Sequence, residues 1–151
     1  MNDLLTPEQL RLAAMNLLAR REYSAHEIRQ KLSQKTPDLN SIETVVQRLM
    51  DDGLQSDERF TEAFTKMRLR QGKGSTLVAF ELKQKGISQQ LIQAYVKTED
   101  EQWRESLSQL INRRFDGQIA EDPKTRAKQI RFLQSRGFTL EQIRQINRPD
   151  G

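Results

Sequence analysis

Four groups of neighbouring carboxylates are the residues best suited to chemistry: Asp51-Asp52, Asp57-Glu58, Glu99-Asp100-Glu101 and Glu121-Asp122. Acid–base catalysis needs two carboxyls in unlike surroundings within one cleft. These groups instead fall mostly where helices begin, where acids complement the helix dipole and cap free N–H groups. His26 is the single histidine and there is no cysteine, which removes thiol catalysis, disulfides, cysteine-bound zinc and almost every Ser/His/Asp arrangement. His26 itself falls inside a capping box, in the solvated first turn of a helix, where a spectator is expected. Gly72-Lys73-Gly74-Ser75 is only weakly like a phosphate loop, because it lacks the GxxxxGK[ST] spacing and follows a helix. No catalytic residue, cofactor or metal is expected.

The basic residues carry more. Residues 65–97 hold seven bases against Glu81, residues 98–122 hold seven acids against Arg104, Arg113 and Arg114, and residues 123–148 hold seven bases against Glu141. With a pI near 9.6, alternating blocks suit a polyanion or a protein with complementary stripes; a solvated helical surface gives the same pattern. Lys124, Lys128 and Arg131 recur at i, i+4, i+7 and line one helix face, with Ile130 and Leu133 turned to the core. Arg68, Arg70 and Lys73 gather at the end of an earlier helix, followed by Lys83 and Lys85, and Arg113 and Arg114 stand at the equivalent place one repeat later. Such stripes neutralise phosphates and give salt-sensitive binding with little sequence preference. The nine aromatics lie mostly at core-phase positions, which argues against a dedicated single-strand stacking platform.

The elements that position these bases read as helices throughout. Thr6-Pro7-Glu8-Gln9 and Ser24-Ala25-His26-Glu27 are capping boxes, and Tyr23 with Ile28 forms a hydrophobic staple. Asn40-Ser41-Ile42-Glu43 starts a third helix running through Met50, with Gly53 as its stop. Ser75 is expected to cap a helix to Lys85. Gly86-Ile87-Ser88 and Gly137-Phe138-Thr139 then make matching tight turns, and Asp122-Pro123 opens a helix to Arg136. A shift of 50 residues superposes Leu10 on Phe60, Leu17 on Met67 and Leu32 on Leu82; a shift of 51 superposes Leu82 on Leu133 and Gly86 on Gly137. Only 35% of the 151 residues are apolar and 30% are charged, so cores must be thin and spread along an elongated body. The expectation is an all-α chain of three tandem three-helix, helix-turn-helix-like repeats, 1–54, 55–98 and 99–151, forming an elongated monomer. No stretch approaches the roughly 18 apolar residues of a membrane span, and without a signal-peptide pattern the expected location is cytoplasmic.

Gly53-Leu54-Gln55-Ser56-Asp57-Glu58-Arg59-Phe60, with Ala63-Phe64 and Arg68, resembles the most recognisable stretch of the RecX family, regulators of the RecA recombinase. Gly72-Lys73-Gly74, Glu81-Leu82-Lys83-Gln84-Lys85-Gly86-Ile87, Tyr23-Ser24 with Glu27-Ile28, and Arg131-Phe132-Leu133 with Arg136-Gly137-Phe138 are similar to its other signatures. Leu77 departs from the pattern, standing where relatives often place a base, and the first repeat has a longer connection from Ser33 to Leu39. The resemblance spans roughly residues 10–147. It implies a curved row of three repeats that lies in the groove of the RecA–DNA filament and opposes filament growth, ATP hydrolysis, strand exchange and co-protease action, so regulating DNA repair, recombination and the SOS response. It also implies direct DNA binding, weak and without sequence preference. On this view Arg68, Arg70, Lys73, Lys83, Lys85, Arg113, Arg114, Lys124, Lys128 and Arg131 face the filament or its DNA. Phe60, Phe64, Met67, Leu82 and Trp103 would hold the modules together. The alternatives are a helix-turn-helix transcription regulator, reading with the helices that start at Ser88 and Thr139, and a plain helical adaptor.

Overall fold

The protein is described by a computed structural model over residues 5–146. Those residues form helices and no strand: α1 (Pro7–Leu18), α2 (Ala25–Ser33) and α3 (Leu39–Asp51), then α4 (Asp57–Arg70), α5 (Ser75–Gln84) and α6 (Gln89–Tyr95), then α7 (Glu101–Phe115), α8 (Pro123–Ser135) and α9 (Leu140–Ile146). Arg148, the last base of the third charge block, lies outside the described residues. No helix among them is long and apolar enough to cross a membrane.

Local sequence explains the helix ends. The Thr6 and Ser24 capping boxes form as expected, and Thr139 with Gln142 makes a third before α9. Each such cap stabilises its helix by about 1 kcal/mol. Ser56 and Ser88 accept from Arg59 N–H and Leu91 N–H. Two expected caps differ. The third helix begins at Leu39, because the Asp38 carboxylate accepts from both Asn40 and Ser41 N–H groups and outcompetes Asn40. Ser75 is the first helical residue of α5, not its cap: Gly74 holds the cap position, and the Ser75 hydroxyl donates to Thr98 at 3.1 Å.

Three successive cores follow. Leu10, Ile28, Leu32, Ile42, Val46 and Leu49 fill the first, Phe60, Phe64, Val78, Leu82 and Ile92 the second, and Leu107, Leu110, Leu133, Phe138 and Ile143 the third. Trp103 breaks the repeat. It belongs to α7, yet its ring is buried with the second core, so the third module supplies part of its neighbour's interior. Met67, expected to hold modules together, is 36% exposed instead, and the stacked Phe60–Phe64 pair takes that place.

The two seams between modules are built differently. At the first, side chains do the joining: Ala25 N–H donates to Asp57, Gln55 donates to the Tyr23 carbonyl, and Lys85 and Arg59 pair with Glu27 and Glu22 at 3.1 and 3.2 Å. His26 is no spectator here. It is half-buried against Gly86, where an added Cβ would come within 2.6 Å of the histidine Cβ. At the second seam α4 packs on α7, and backbone meets backbone. Gly74 N–H donates to the Arg136 carbonyl at 2.6 Å and Thr76 N–H to the Gly137 carbonyl at 3.0 Å. The first N–H groups of α5, left open by any helix start, are thus closed by the next module.

Gly137 adopts φ +104, and a Cβ there would lie 2.6 Å from Leu77 Cβ and 2.8 Å from the Gly74 carbonyl oxygen. Gly53 has φ +74 but open space around it. Gly53→Ala should therefore cost only the left-handed backbone term, about 1–2 kcal/mol. Gly137→Ala adds overlap on both sides and should cost more than about 3 kcal/mol; denaturant unfolding of the two variants measures the difference.

Burial alone would raise the Glu27 carboxyl, but hydrogen bonds from Arg21, Ser24 N–H and Lys85 outweigh it and hold the group below its ordinary 4.5. A depressed carboxyl contributes its stability fully above the unfolded value and loses it as pH falls through the folded one. The protein should lose stability from about pH 4.5 downward, and Glu27→Gln should flatten that acid limb in pH-dependent thermal unfolding.

Candidate functional site

Five of the nine grouped carboxylates, Asp51, Asp52, Asp57, Glu58 and Asp122, have partners within the fold, while Asp100 holds the cap position of α7 without a side-chain bond. Asp57 accepts from Ala25 N–H and Gln55, Asp52 pairs with Arg11, and Asp51 accepts from Gln47. The Tyr95 hydroxyl donates to Glu58 at 2.7 Å, which pushes the phenol up to about 12. Asp122 caps α8, and the bonds it accepts from Thr125 N–H and hydroxyl hold it below its ordinary range. Among the described residues no three His, Asp or Glu side chains gather as a metal site. The Gly72-Lys73-Gly74-Ser75 turn cannot cradle a phosphate with its backbone, because the N–H groups of Gly74 and Thr76 already serve the third module.

The bases divide into two populations. Arg68 donates to Glu81 at 2.8 Å and to Gln71, and lies over the Phe64 ring. Lys85 pairs with Glu27 and lies over the same ring. These two cations are partly buried and committed to the fold. Arg70 and Lys83 are exposed, and Lys73 is half-buried beside Gly72. Lys124, Lys128 and Arg131 are all exposed along the outer face of α8, with Leu133 buried beneath.

The second seam joins what the sequence shows as separate groups. Arg113 Nη2 and Arg136 Nη2 lie 3.3 and 3.5 Å from the point where a Gly72 Cβ would sit. The Arg136 guanidinium donates to the Gln71 carbonyl at 2.8 Å, and its Nε is buried without an acceptor. Arg114 and Arg136 both approach the Phe132 ring, at 4.8 and 5.9 Å from its centroid. Arg70 and Lys73, two residues before and one after Gly72, flank this turn in sequence. Sequence reasoning omits Arg136, although the Arg136-Gly137-Phe138 signature contains it; its role depends on a contact 65 residues away.

The electrostatics of this region are one-sided. Two guanidinium nitrogens no more than about 7 Å apart repel by roughly 0.6 kcal/mol even in bulk water, and by about 2 kcal/mol near a protein surface. Among the described residues every ion pair lies within the first two modules or across their seam, and none involves Arg113, Arg114, Lys124, Lys128, Arg131 or Arg136. Guanidinium forks without carboxylates are suited to phosphate oxygens, which accept two parallel hydrogen bonds.

Comparison with known proteins places the whole arrangement. The family models for the first, second and third three-helix domains of RecX match residues 11–49, 56–96 and 100–146. The regulatory protein RecX of Pseudomonas putida (strain GB-1) is 38% identical over 138 residues, covering 91% of this chain and 88% of that one. That of Halorhodospira halophila is 34% identical over 137 residues, covering 91% and 85%. The crystal structure of RecX from Lactobacillus salivarius superposes with a TM-score of 0.75 at 20% identity, covering 93% of both chains. With three domain models in tandem order and relatives matched over nearly their full length, the chain belongs to the RecX family of regulatory proteins.

Proposed function

We propose that this protein is a non-catalytic, cytoplasmic modulator of the RecA recombinase that binds the RecA–DNA filament as a monomer and mainly inhibits it. The family supplies the regulatory role. The observation that carries the rest is an asymmetry of pairing: all seven ion pairs among the described residues use cations of the first two modules, seven of the fifteen there, while those of the third are left without carboxylate partners. A row of modules whose last member presents cations outside any ion pair fits the groove of a helical nucleoprotein assembly. Occupying that groove opposes filament growth, ATP hydrolysis, strand exchange and co-protease action, and so regulates DNA repair and recombination. Direct DNA contact by the same cations is electrostatic, weak and indifferent to sequence.

A sequence-reading transcription regulator is the poorer fit. Its reading helices would be α6 and α9, each of seven residues. Gln142 on α9 is buried and donates to the Thr98 carbonyl, so it is unavailable to bases. That leaves Gln89, Gln90, Gln93 and Arg144, too few groups for the several kcal/mol of discrimination a specific site requires.

Lys124, Lys128 and Arg131 are exposed, and reversing them to Glu should leave the fold intact. The triple variant should bind the filament at least tenfold more weakly, with a salt dependence shallower by about 2–3 in log–log slope. RecA-dependent ATP hydrolysis on single-stranded DNA, measured with and without the protein across a salt series, tests this; inhibition at wild-type strength by the triple variant would exclude the α8 face as the contact.

A further inference from the structure

We propose that Arg113 and Arg136, side by side over Gly72 in the seam between the second and third modules, form a subsite for a single phosphate group of a nucleic-acid backbone. This deepens the reading above, since it names the chemistry by which the third module would hold the DNA of the filament, and it rests on that reading.

Three observations lead there. The first is convergence: nitrogens from both guanidinium groups lie within 3.5 Å of one point above Gly72. A phosphate, with oxygens about 2.5 Å apart and charge-assisted bonds of about 2.8 Å, bridges two donors separated by up to about 7 Å. The second is the missing counter-charge. Arg113 remains exposed, and no carboxylate among the described residues pairs with it or with Arg136. Arg114 stands by across Phe132, Arg70 and Lys73 border the same turn in sequence, and none of these cations is in an ion pair among the described residues.

The third is rigidity. Arg136 is held by its bond to the Gln71 carbonyl, and its own carbonyl receives Gly74 N–H. Arg113 projects from the last turn of a fifteen-residue helix whose Ser106 hydroxyl donates to the Leu69 carbonyl. Binding sites made of preorganised donors lose less conformational freedom on capture than flexible surface lysines do. A phosphate fits better than the carboxylate of an acidic peptide, because a polyanion of fixed charge density answers the collected cations, whereas a single carboxylate answers one. The α8 ridge of Lys124, Lys128 and Arg131 is a separate face of the same module.

The test uses the full-length protein labelled with 15N, observing arginine side-chain Nε–Hε signals. Inorganic phosphate should shift the Arg113 and Arg136 signals saturably, while sodium acetate at matched ionic strength should not. A dT oligonucleotide of about eight residues should move the same two signals. Arg113→Gln should abolish the phosphate response at Arg136 with the Gly74 and Gly137 amide signals unmoved, weaken oligonucleotide binding about tenfold, and lower its log–log salt slope by about 0.7, one single-strand phosphate contact. A linear, non-saturating response would overturn the subsite. So would an equal response to acetate, which would reassign the cations to an acidic peptide, or an unchanged Arg136 response in Arg113→Gln. The readout needs no RecA. A saturable phosphate response without any effect on RecA would leave the subsite standing and refute the proposed function; RecA inhibition without that response would do the reverse.

Discussion

The architecture depends on how closely two backbones approach at Gly74 and Gly137. Neither position has room for a side chain: a Cβ on Gly74 would overlap the Gly137 carbonyl group, and one on Gly137 would meet Leu77 and the Gly74 carbonyl. Because both residues lack a Cβ, the start of α5 can take its capping acceptors from the turn before α9. That turn carries Arg136 at a fixed height above Gly72, and α7 brings Arg113 to the same place. The gathering of cations at the second seam is therefore a result of glycine packing; long-range attraction plays no part, since the groups repel one another.

The first seam follows a different physical rule. Its joints are Glu27 with Lys85, Glu22 with Arg59, Asp57 accepting from Ala25 N–H, and Gln55 donating to the Tyr23 carbonyl. Half-exposed ion pairs of this kind each contribute little, and salt screens them. Main-chain bonds buried between glycines are screened far less. The bonds that close the first junction thus weaken with ionic strength and falling pH far more than the main-chain bonds that close the second.

Much of the fold was readable because its signals are local. Capping boxes at Thr6, Ser24 and Thr139 and the Gly86 and Gly137 turns act over three or four residues, and each formed as read. The misreadings concern competition or distance. Asp38 displaced Asn40 as a cap because a carboxylate accepting two N–H groups is the stronger partner. Ser75 lost its expected role because the carbonyls that close α5 come from residues more than sixty positions away. Trp103 was expected to help hold the modules together and does so by entering the second core from α7; which core it enters was not readable, because periodicity fixes only the face of a helix. The candidate site divides in the same way. That the bases were numerous was evident, whereas which are neutralised, as Arg68 and Lys85 are, depends on Glu81 and Glu27 from other helices.

Trp103 also bears on how such a chain comes apart. In an ideal array each repeat keeps its own interior, and neighbours influence one another only through their shared boundary. Here an indole from the third repeat completes the interior of the second, which couples the unfolding of those two repeats. The amino-terminal repeat, joined mainly by charges, is the end from which the array frays, and native-state hydrogen exchange would resolve it as the less protected foldon.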